Sequence, residues 1–425
     1  MTEESYIIVG AGVFGASTAL HLIDKYPSAS ITLIDRNAKC GASWDWNKVI
    51  RSDYRDELYT RLALEARELW VNDALYKPYY HAVPMVWISG TEPSVYVENH
   101  RKAGVEPNFK MLTVDEAKSE FGGLFKDADY EGVDKIYVNY DSGWAEAKDV
   151  LDNVVAAAVS KGVKFIACGV STVVFDESGS RAIGVRTSAG DFISGTKVIL
   201  CNGAGLPKLM ADSAPDRDDL QPGPNITAAS VITGNASSGS DVSKLMGSPI
   251  CSKGTGLQGG YIPPTVHTPL KFWSDMTYKN TVQHPSERTM SMPPAGEDNN
   301  QWAVPEAMSR ELEEAAIGIL GPDSGITLCD FRVCWELTTA SEDNIISPHP
   351  ACKDLYIATA GSFHSFKFLP ILGKYVVQML DGALDPDLTT RWAWDQPVFS
   401  NGDRERYPTR ELKEFWSFER PRQVI

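Results

Sequence analysis

Cys334 is the residue whose chemistry the sequence leaves most open. It stands in the segment FRVCW, residues 331–335, with Arg332 two positions before it and Trp335 directly after it. A thiol in this setting can fill an apolar core, ligate a metal, pair in a disulfide or bond to another group. The chain has 7 cysteines, but they are scattered and form no CxxC pair, so the sequence predicts neither a metal site nor a disulfide framework. The remaining roles for Cys334 are to fill the core or to bond to another group, and the rest of the sequence has to distinguish them.

Three glycines near the start of the chain have the spacing of a dinucleotide-binding turn. Gly10, Gly12 and Gly15 form GxGxxG after the apolar run of residues 6–9. The glycines allow a tight bend, let the backbone approach a pyrophosphate, and let a helix pack closely on a strand. The N-terminus of that helix offers free N–H groups and a positive dipole to the diphosphate. Asp35 follows Gly15 by about 20 residues, where a carboxylate binds ribose hydroxyls, which favours FAD or NAD over NADP.

The elements that must position this turn alternate between strands and helices. The turn is predicted between a strand over 6–9 and a helix over 16–25, with a second strand over 31–34. Residues 198–205 predict a strand that ends in a turn of small residues, a second place where backbone can approach a cofactor. The last alternating unit, over 355–382, repeats the order of strand, glycine turn and helix.

Sheet-rich segments interrupt these units twice. The segments ITAASVITG and YIPPTVHTPLKFWSD are typical of an antiparallel sheet, and a helix is predicted over 308–320. The sequence therefore predicts the α/β fold class, with a Rossmann-type nucleotide-binding domain interleaved with a mainly antiparallel-sheet, α+β substrate domain. The first domain is predicted over 1–82, 141–210 and 325–390, the substrate domain over 83–140 and 211–324, and a C-terminal tail over 391–425.

Composition and the two ends of the chain bear on which partners the protein can bind and on the cell compartment expected for it. A formal charge of −16 and a pI near 4.9 argue against binding to nucleic acid or to an anionic membrane surface. No apolar run approaches the roughly 20 residues that a membrane span requires. The start MTEESYIIVGAG lacks the basic segment of a signal peptide, and the end RPRQVI lacks a peroxisomal SKL signal. We therefore expect a cytoplasmic protein with reduced thiols. A monomer is a separate expectation, which composition does not decide.

Seven segments in order make the chain resemble a known group of enzymes. They are GAGVFGASTALHL, WNKVIR, SGWAEA, VILCNGAG, RVCWE, SPHP and SFHSFKFLPILGK, and they extend from the first strand to about residue 382. The chain resembles the FAD-dependent amine oxidases of the sarcosine oxidase, pipecolate/saccharopine oxidase and fructosyl amino acid oxidase (amadoriase) group. The resemblance implies that the nucleotide-binding domain holds FAD. It also implies that Cys334 is bonded through a thioether to the flavin 8α-methyl group, which prevents loss of the cofactor and raises its reduction potential.

The same resemblance assigns the remaining site residues. A clamp for the substrate carboxylate is implied at Arg51 in NKVIR and Lys367 in HSFKF, since an arginine fork binds carboxylate in two places and lysine adds a point charge. Activation of O2 is implied at Lys271 in PLKFW, with Lys48 as a second basic residue near the flavin. The implied cofactor contacts are Gly10, Gly12, Val13, Phe14, Gly15, Asp35, Arg36, Ser43, Asn47, Lys48, Val170, Gly203, Cys334, Gly361, Phe363, His364, Ser365, Phe366 and Lys367.

Three departures from the group pattern bear on the substrate. Phe363 replaces a glycine of the SGHGFK motif, Glu336 stands where sarcosine oxidase has a tyrosine, and Asp275 stands where it has a histidine. We expect these three residues to contact the substrate. Two carboxylates beside a carboxylate clamp would repel a plain amino acid, so they favour a substrate with a cationic or hydroxyl-rich arm.

The implied reaction is oxidation of the C–N bond of a secondary amine or N-substituted amino acid to an imine, with O2 reduced to H2O2. One alternative is a fructosyl amino acid oxidase, against which Arg51 speaks. Another is an amine oxidase of a secondary-metabolite pathway whose imine is trapped by cyclisation. A dehydrogenase that passes electrons to a carrier, and a flavoprotein without enzymatic activity, are further classes, and Lys271 argues for the oxidase.

Overall fold

The computed structural model describes residues 4–36, 41–90, 93–294, 301–396 and 409–416. The helices in these ranges are α1 (Val13–Lys25), α2 (Glu57–Asn72), α3 (Ser94–Lys102), α4 (Val114–Ser119), α5 (Ala147–Ser160), α6 (Leu206–Ser213), α7 (Glu306–Leu320), α8 (Leu372–Leu380), α9 (Pro386–Arg391) and α10 (Lys413–Trp416). The strands are β1 (Ser5–Val9), β2 (Ser30–Asp35), β3 (Asn47–Ile50), β4 (Tyr80–Ala82), β5 (Met85–Ile88), β6 (Phe109–Thr113), β7 (Lys135–Asn139), β8 (Gly143–Glu146), β9 (Lys164–Ala167), β10 (Val170–Phe175), β11 (Ala182–Thr187), β12 (Phe192–Ser194), β13 (Lys197–Leu200), β14 (Ile226–Ala236), β15 (Ile250–Lys253), β16 (Gly259–Ile262), β17 (Lys271–Ser274), β18 (Thr277–Lys279), β19 (Thr281–Gln283), β20 (Thr289–Ser291), β21 (Leu328–Thr339), β22 (Ile345–Pro348), β23 (Leu355–Thr359) and β24 (Thr409–Glu411).

The apolar N-terminal strands lie in one mainly parallel sheet, which we call the parallel sheet. Its order is β22–β23–β13–β1–β2–β9, and all neighbours are parallel except β22 with β23. Tyr6 and Ile8 of β1 pack in one core with α1, α5 and α8, whereas Ile7 and Val9 pack in a second core on the opposite face. Burial on both faces explains why β1 is apolar throughout, as parallel strands usually are.

The glycine turn joins β1 to α1 through very close backbone packing. A Cβ atom built on Gly15 would lie 1.8 Å from the carbonyl oxygen of Gly10. Only glycine therefore lets the first turn of α1 approach the end of β1. Helix α1 begins at Val13, three residues before the predicted start, because the turn that holds Gly15 is itself helical.

Replacing Gly15 with alanine is expected to destabilise the fold by about 3 kcal/mol or more, since overpacking against rigid backbone cannot be relieved by a side-chain movement. Thermal unfolding measures the effect. Gly205→Ala is the matched control, because a Cβ there meets its nearest atom, Asn202 Nδ2, at an ordinary 3.4 Å. A Gly15→Ala protein that unfolds at the wild-type temperature would show that the close packing has no energetic weight.

The sheet-rich segments form a second layer, which we call the large sheet. Its order is β24–β18–β14–β17–β16–β15–β5–β7–β6, and β21 also pairs with β14. Strand β14 contains the predicted segment ITAASVITG, and β16 and β17 lie at the two ends of YIPPTVHTPLKFWSD. The antiparallel register of β14 and β21 places Cys334 opposite Val231 and Glu336 opposite Ala229. The predicted α/β fold class with a sheet-rich second region is therefore confirmed.

The predicted domain boundaries stay a prediction, and two pairings bear on them. Strand β21, which lies in the range 325–390 assigned to the nucleotide-binding domain, hydrogen-bonds to the large sheet through β14. Strand β24 of the C-terminal tail adds to the same sheet, in parallel with β18. None of the helices in the described ranges combines the length and apolar character that crossing a membrane requires.

Candidate active site

A cavity of about 630 Å³ extends from the glycine turn to the large sheet. Ten of the predicted cofactor contacts line it: Gly10, Gly12, Val13, Phe14, Asp35, Arg36, Ser43, Val170, Gly203 and Gly361. Its far end is lined by Trp335, Glu336 and Leu337 of β21. The cavity thus connects the parallel sheet with the strand that carries Cys334.

At the near end, side chains hold the glycine turn through its backbone. The Ala11 N–H donates to Asp35 Oδ2 at 2.7 Å, and the Val13 N–H donates to Ser43 Oγ at 2.9 Å. Gly12 provides no side-chain cap at the N-terminus of α1. The N-terminus of the helix and a carboxylate therefore stand together on the cavity wall, which is the arrangement that binds a diphosphate and a ribose.

Two buried amides test whether the cavity suits a ligand with polar edges. Within the described residues, neither amide atom of Asn47 has a hydrogen-bond partner, and neither does Oδ1 of Asn202. Asn202 lines the cavity, and Asn47 starts β3, beside Lys48. Buried polar atoms in native proteins normally have partners, so the unpartnered Oδ1 of Asn202 on the cavity wall points to a polar ligand. The residues present therefore fit a dinucleotide cofactor.

Asp45 joins Lys271 and Lys48, to which the resemblance implies catalytic roles, and we call these three residues the Asp45 cluster. Its Oδ2 atom lies 2.8 Å from Lys271 Nζ and 2.9 Å from Lys48 Nζ. Lys271 also donates to the Asn47 carbonyl at 2.5 Å. Asp45 and Lys271 are buried, with 2% and 3% of their surface exposed. The structure thus brings together residues from two distant parts of the chain.

Burial and charge act in opposite directions in this cluster. Burial would raise the pKa of Asp45, but the charges of Lys271 and Lys48 outweigh it and hold that pKa below its usual range. Burial lowers the pKa of Lys271 to about 8. The negative charge of Asp45 opposes this decrease, and the positive charge of Lys48 adds to it. Burial would also lower the pKa of Lys48, but the attraction of Asp45 is stronger than this effect, so the pKa of Lys48 is raised. Lys271 is therefore the cation of the cluster that titrates closest to neutral pH.

Arg332 fastens the loop before β3 to β21. It donates to the carbonyls of Trp44 at 2.6 Å and Gly41 at 2.5 Å, and to Gln301 Oε1 at 3.2 Å. Its guanidinium also lies 5.2 Å from the ring centre of Trp44. Arg332 and Cys334 share one face of β21 because side chains alternate along a strand. Cys334 is a buried free thiol.

A second group of basic residues, which we call the Tyr54 cluster, contains Arg51, Tyr54, His364 and Lys367. The Arg51 guanidinium lies 4.8 Å from the ring centre of Tyr54 and 5.3 Å from that of Trp87. Lys367, 5% exposed, donates to the Tyr54 hydroxyl at 2.8 Å. Arg51 and Lys367, the two residues predicted to clamp the substrate carboxylate, therefore both contact Tyr54, although they are far apart in the sequence.

His364 completes a hydrogen-bonded path through the Tyr54 cluster. Its Nε2 donates to the carbonyl of Glu342 at 2.8 Å, since a carbonyl only accepts. In the neutral ring, Nδ1 is then the acceptor for the Tyr54 hydroxyl, at 3.2 Å. Tyr54 in turn accepts from Lys367. This path fixes the orientation of the tyrosine and hence of the lysine.

Glu336 and Phe363 meet at a tight turn between β23 and the helical residues 366–368. The Phe363 N–H donates to Glu336 Oε2 at 3.0 Å. Ala360, Ser362 and Phe363 all have positive φ, at 63°, 46° and 61°, which is uncommon for residues other than glycine. Burial raises the pKa of Glu336 to about 7, although Lys48, the Phe363 N–H and Lys367 oppose the increase.

Four other predicted residues, Gly15, Ser365, Phe366 and Asp275, are not among the residues that line the cavity. Gly15 packs against Gly10, and Ser365 donates to Asn344 Oδ1 at 2.6 Å. Phe366 stacks on Trp70, with ring centres 6.4 Å apart. Asp275 accepts from Trp273 Nε1 at 3.0 Å, beyond the end of β17, and it does not lie beside Glu336 on the cavity wall.

Sequence reasoning missed four residues of the site, namely Asp45, Tyr54, Asn202 and Arg332. The signal available for Asp45 was an acidic residue flanked by two tryptophans, in the segment WDWNK. A carboxylate between large apolar side chains is expected to be buried, and a buried carboxylate requires a cationic partner. Tyr54 and Arg332 carried no comparable signal.

Comparison with known proteins gives consistent matches over most of the chain. A family model described as FAD dependent oxidoreductase (DAO) matches residues 5–379. L-saccharopine oxidase from Schizosaccharomyces pombe is 24% identical over 417 residues, covering 92% of this chain and 93% of that protein. Amino acid oxidase imqH from Aspergillus flavus is 26% identical over 468 residues, covering 89% and 92%. The solved structure of a modified fructosyl peptide oxidase from Aspergillus nidulans superposes with a TM-score of 0.82 at 25% identity, covering 97% of this chain and 98% of that one.

Proposed function

The chain belongs to the FAD dependent oxidoreductase family, and we propose that it oxidises the C–N bond of a secondary amine or N-substituted amino acid to an imine, with O2 reduced to H2O2. One observation carries this proposal. The cavity that begins at the glycine turn is also lined by Glu336, which interacts electrostatically with Lys48 of the Asp45 cluster and with Lys367 of the Tyr54 cluster. FAD supplies the two-electron acceptor when it is bound. The residues that would hold it are those of the glycine turn, Asp35, Asn47 and Asn202.

The two clusters have different proposed tasks. Arg51 and Lys367 bind the substrate carboxylate, because both are positioned by Tyr54 and together provide a fork and a point charge. Lys271 stabilises the negative charge that O2 acquires during its reduction, because a buried cation near that charge is favourable. Lys48, which shares Asp45 with Lys271, supports the same charge. The Tyr54 cluster thus binds the substrate, and the separate Asp45 cluster supports the reduction of O2.

The proposed covalent bond between Cys334 and FAD leads to an all-or-none prediction. Unfolding the wild-type protein in denaturant is expected to leave the flavin on the polypeptide, whereas Cys334→Ser should release all of it into the filtrate. Flavin absorbance in the two fractions measures this. Cys329→Ser, on the same strand but less buried, is the control and should keep the flavin attached. Free flavin from the unfolded wild type would reject the bond.

A peroxide assay over a panel of amines tests the proposed reaction. The panel comprises N-methyl amino acids, pipecolate, saccharopine and fructosyl-valine, with H2O2 measured per mole of amine consumed. Oxidation of any of the first three at one H2O2 per amine supports the proposal. Amine consumption that yields no H2O2 and requires an added artificial electron acceptor would identify a dehydrogenase. No consumption by a flavin-loaded protein, with or without that acceptor, would reject an amine-oxidising enzyme.

The fructosyl amino acid oxidase is the second candidate. The near-complete superposition on a fructosyl peptide oxidase favours it. The cationic side chain at Arg51 argues against it, since that residue suits a free carboxylate next to the reacting amine. Turnover of fructosyl-valine in preference to pipecolate and saccharopine would establish this alternative.

A further inference from the structure

We propose that Glu336 is a catalytic residue that accepts the proton of the substrate ammonium group before the C–N bond is oxidised. The inference rests on the proposed function, because it concerns the same amine. It adds the group that converts the protonated substrate, which predominates in neutral solution, into the reactive free amine.

Geometry leaves one oxygen of Glu336 available for a substrate. Oε2 accepts the Phe363 N–H, whereas Oε1 has no hydrogen bond within the described part of the chain. Oε1 lies next to Gly361, where a Cβ atom would be only 2.0 Å away. Glycine at that position therefore makes room for the carboxylate. Both Glu336 and Gly361 line the cavity, so Oε1 stands at the cavity wall.

The position of Glu336 between the two clusters matches the place where a substrate amine would lie. Its carboxylate is within electrostatic reach of Lys48 from β3 and of Lys367 from the segment after β23. Lys367 belongs to the proposed carboxylate clamp, and in an α-amino acid the amine is two bonds from the carboxylate carbon. Strand β14 presents the uncharged Ala229 opposite Glu336, and β21 itself carries Cys334 and Arg332 on the same face.

The chemistry requires a proton acceptor at this point. A secondary amine is protonated at neutral pH, and its nitrogen then has no lone pair to support removal of hydrogen from the adjacent carbon. In the proposed step one N–H bond of the ammonium breaks, its electron pair stays on nitrogen, and an O–H bond forms on Glu336. The proton returns to water after the product leaves. No oxidant is consumed in this step.

The protonation of Glu336 suits the task. Because burial raises its pKa to about 7, the carboxylate is ionised above pH 7 and available as a base, and it is increasingly protonated below pH 7. The basic form is therefore lost as pH falls through 7.

Steady-state kinetics against pH provide the first test, with the best substrate from the amine panel. Wild-type kcat/KM is expected to fall about tenfold per pH unit below 7 and to be flat above it until the amine itself deprotonates. For Glu336→Gln we expect a loss of about 100-fold or more at pH 7.5. That deficit should shrink about tenfold per pH unit above 7.5, because the variant depends on free amine from solution. Glu177→Gln, on an exposed turn, is the matched control.

Proton counting by calorimetry gives a test that does not depend on turnover. The probe is 2-aminoisobutyrate, which has no hydrogen on the carbon next to nitrogen, titrated into the flavin-loaded wild type in two buffers of different ionisation enthalpy. With a carboxyl pKa near 7, binding should release about 0.9 proton at pH 6 and about 0.1 at pH 8. Isobutyrate, which lacks the amine, should release none. Glu336→Gln should show no change in proton release between the two pH values.

The outcomes separate the inference from the proposed function. If the enzyme oxidises an amine of the panel but proton release by the wild type is equal at pH 6 and pH 8, Glu336 is not the acceptor and the inference is wrong. The same conclusion follows if Glu336→Gln keeps the wild-type pH profile. If Glu336→Gln fails to fold, proton release by the wild type at pH 6 and pH 8 still decides the question. Absence of any amine oxidation would reject the proposed function itself.

Discussion

Replacing Arg51 with alanine is expected to raise KM for an amino-acid substrate by about 100-fold or more, with a much smaller change in kcat. The loss corresponds to about 3 kcal/mol, which is typical when a charge-assisted contact is removed and its anionic partner is left in a desolvated site. Arg51 is already held in place before substrate arrives, because it packs on the rings of Tyr54 and Trp87 and donates to the Asp53 carbonyl. Arg51 therefore contributes binding energy rather than chemistry, so its loss should raise KM and leave kcat nearly unchanged.

Two controls make this measurement specific. Arg55→Ala removes an exposed arginine four residues later and should leave KM unchanged. An amine of the same skeleton without the carboxylate should be oxidised with similar efficiency by the wild type and by Arg51→Ala. Arg51→Lys keeps the positive charge but loses the two-pronged guanidinium group, so its KM should lie between that of the wild type and that of Arg51→Ala. An unchanged KM in Arg51→Ala would discard the proposed clamp.

Replacing Lys271 with methionine is expected to slow reoxidation of the reduced enzyme by O2 about 100- to 1000-fold, the usual cost of removing one preorganised group that stabilises developing charge. Stopped-flow mixing with O2 measures the second-order rate constant, and anaerobic reduction by substrate should change little. The wild-type rate should also fall as pH rises through about 8, since burial lowers the pKa of Lys271 to about 8 and only the protonated amine carries the charge. Lys271→Met should show no such decrease.

Asp45 and Lys253 provide the comparisons for this prediction. Asp45→Asn removes the carboxylate that opposes deprotonation of Lys271, so the fall in rate should move to a lower pH. Lys253 is also buried, but it contacts Asp129 and Thr255 instead of Asp45. Lys253→Met should therefore leave the O2 reaction unchanged. Wild-type reoxidation speed in Lys271→Met would reject the assigned role.

The local features of the fold could be predicted from the sequence, because each depends on neighbouring residues. The glycine turn, the two strands around α1, and the strand that became β14 follow from apolar periodicity and from glycine spacing. Helix α1 begins three residues before the predicted start, since the packing of Gly15 inside the first helical turn depends on the carbonyl of Gly10 in three dimensions.

The partners of the site residues could not be predicted in the same way. Lys271 and Asp45 are 226 positions apart, and Lys367 and Tyr54 are 313 apart. No periodicity extends over such distances, so only the folded chain shows that the basic residues are divided between two acceptors. The resemblance to amine oxidases supplied Lys271, Lys367 and Arg51 one at a time, but it did not supply the residues that orient them.

The pairing of β24 with β18 has a consequence for the solution behaviour of the chain. The short C-terminal strand lies at the end of the large sheet and covers the outer edge of β18, and it is anchored by the buried Leu412 and by Arg410, which donates to Glu311. A protein cleaved before residue 409 would expose a row of unpaired N–H and C=O groups on β18. Such an open edge recruits strands from other molecules, so C-terminal trimming by proteases would promote self-association of the chain.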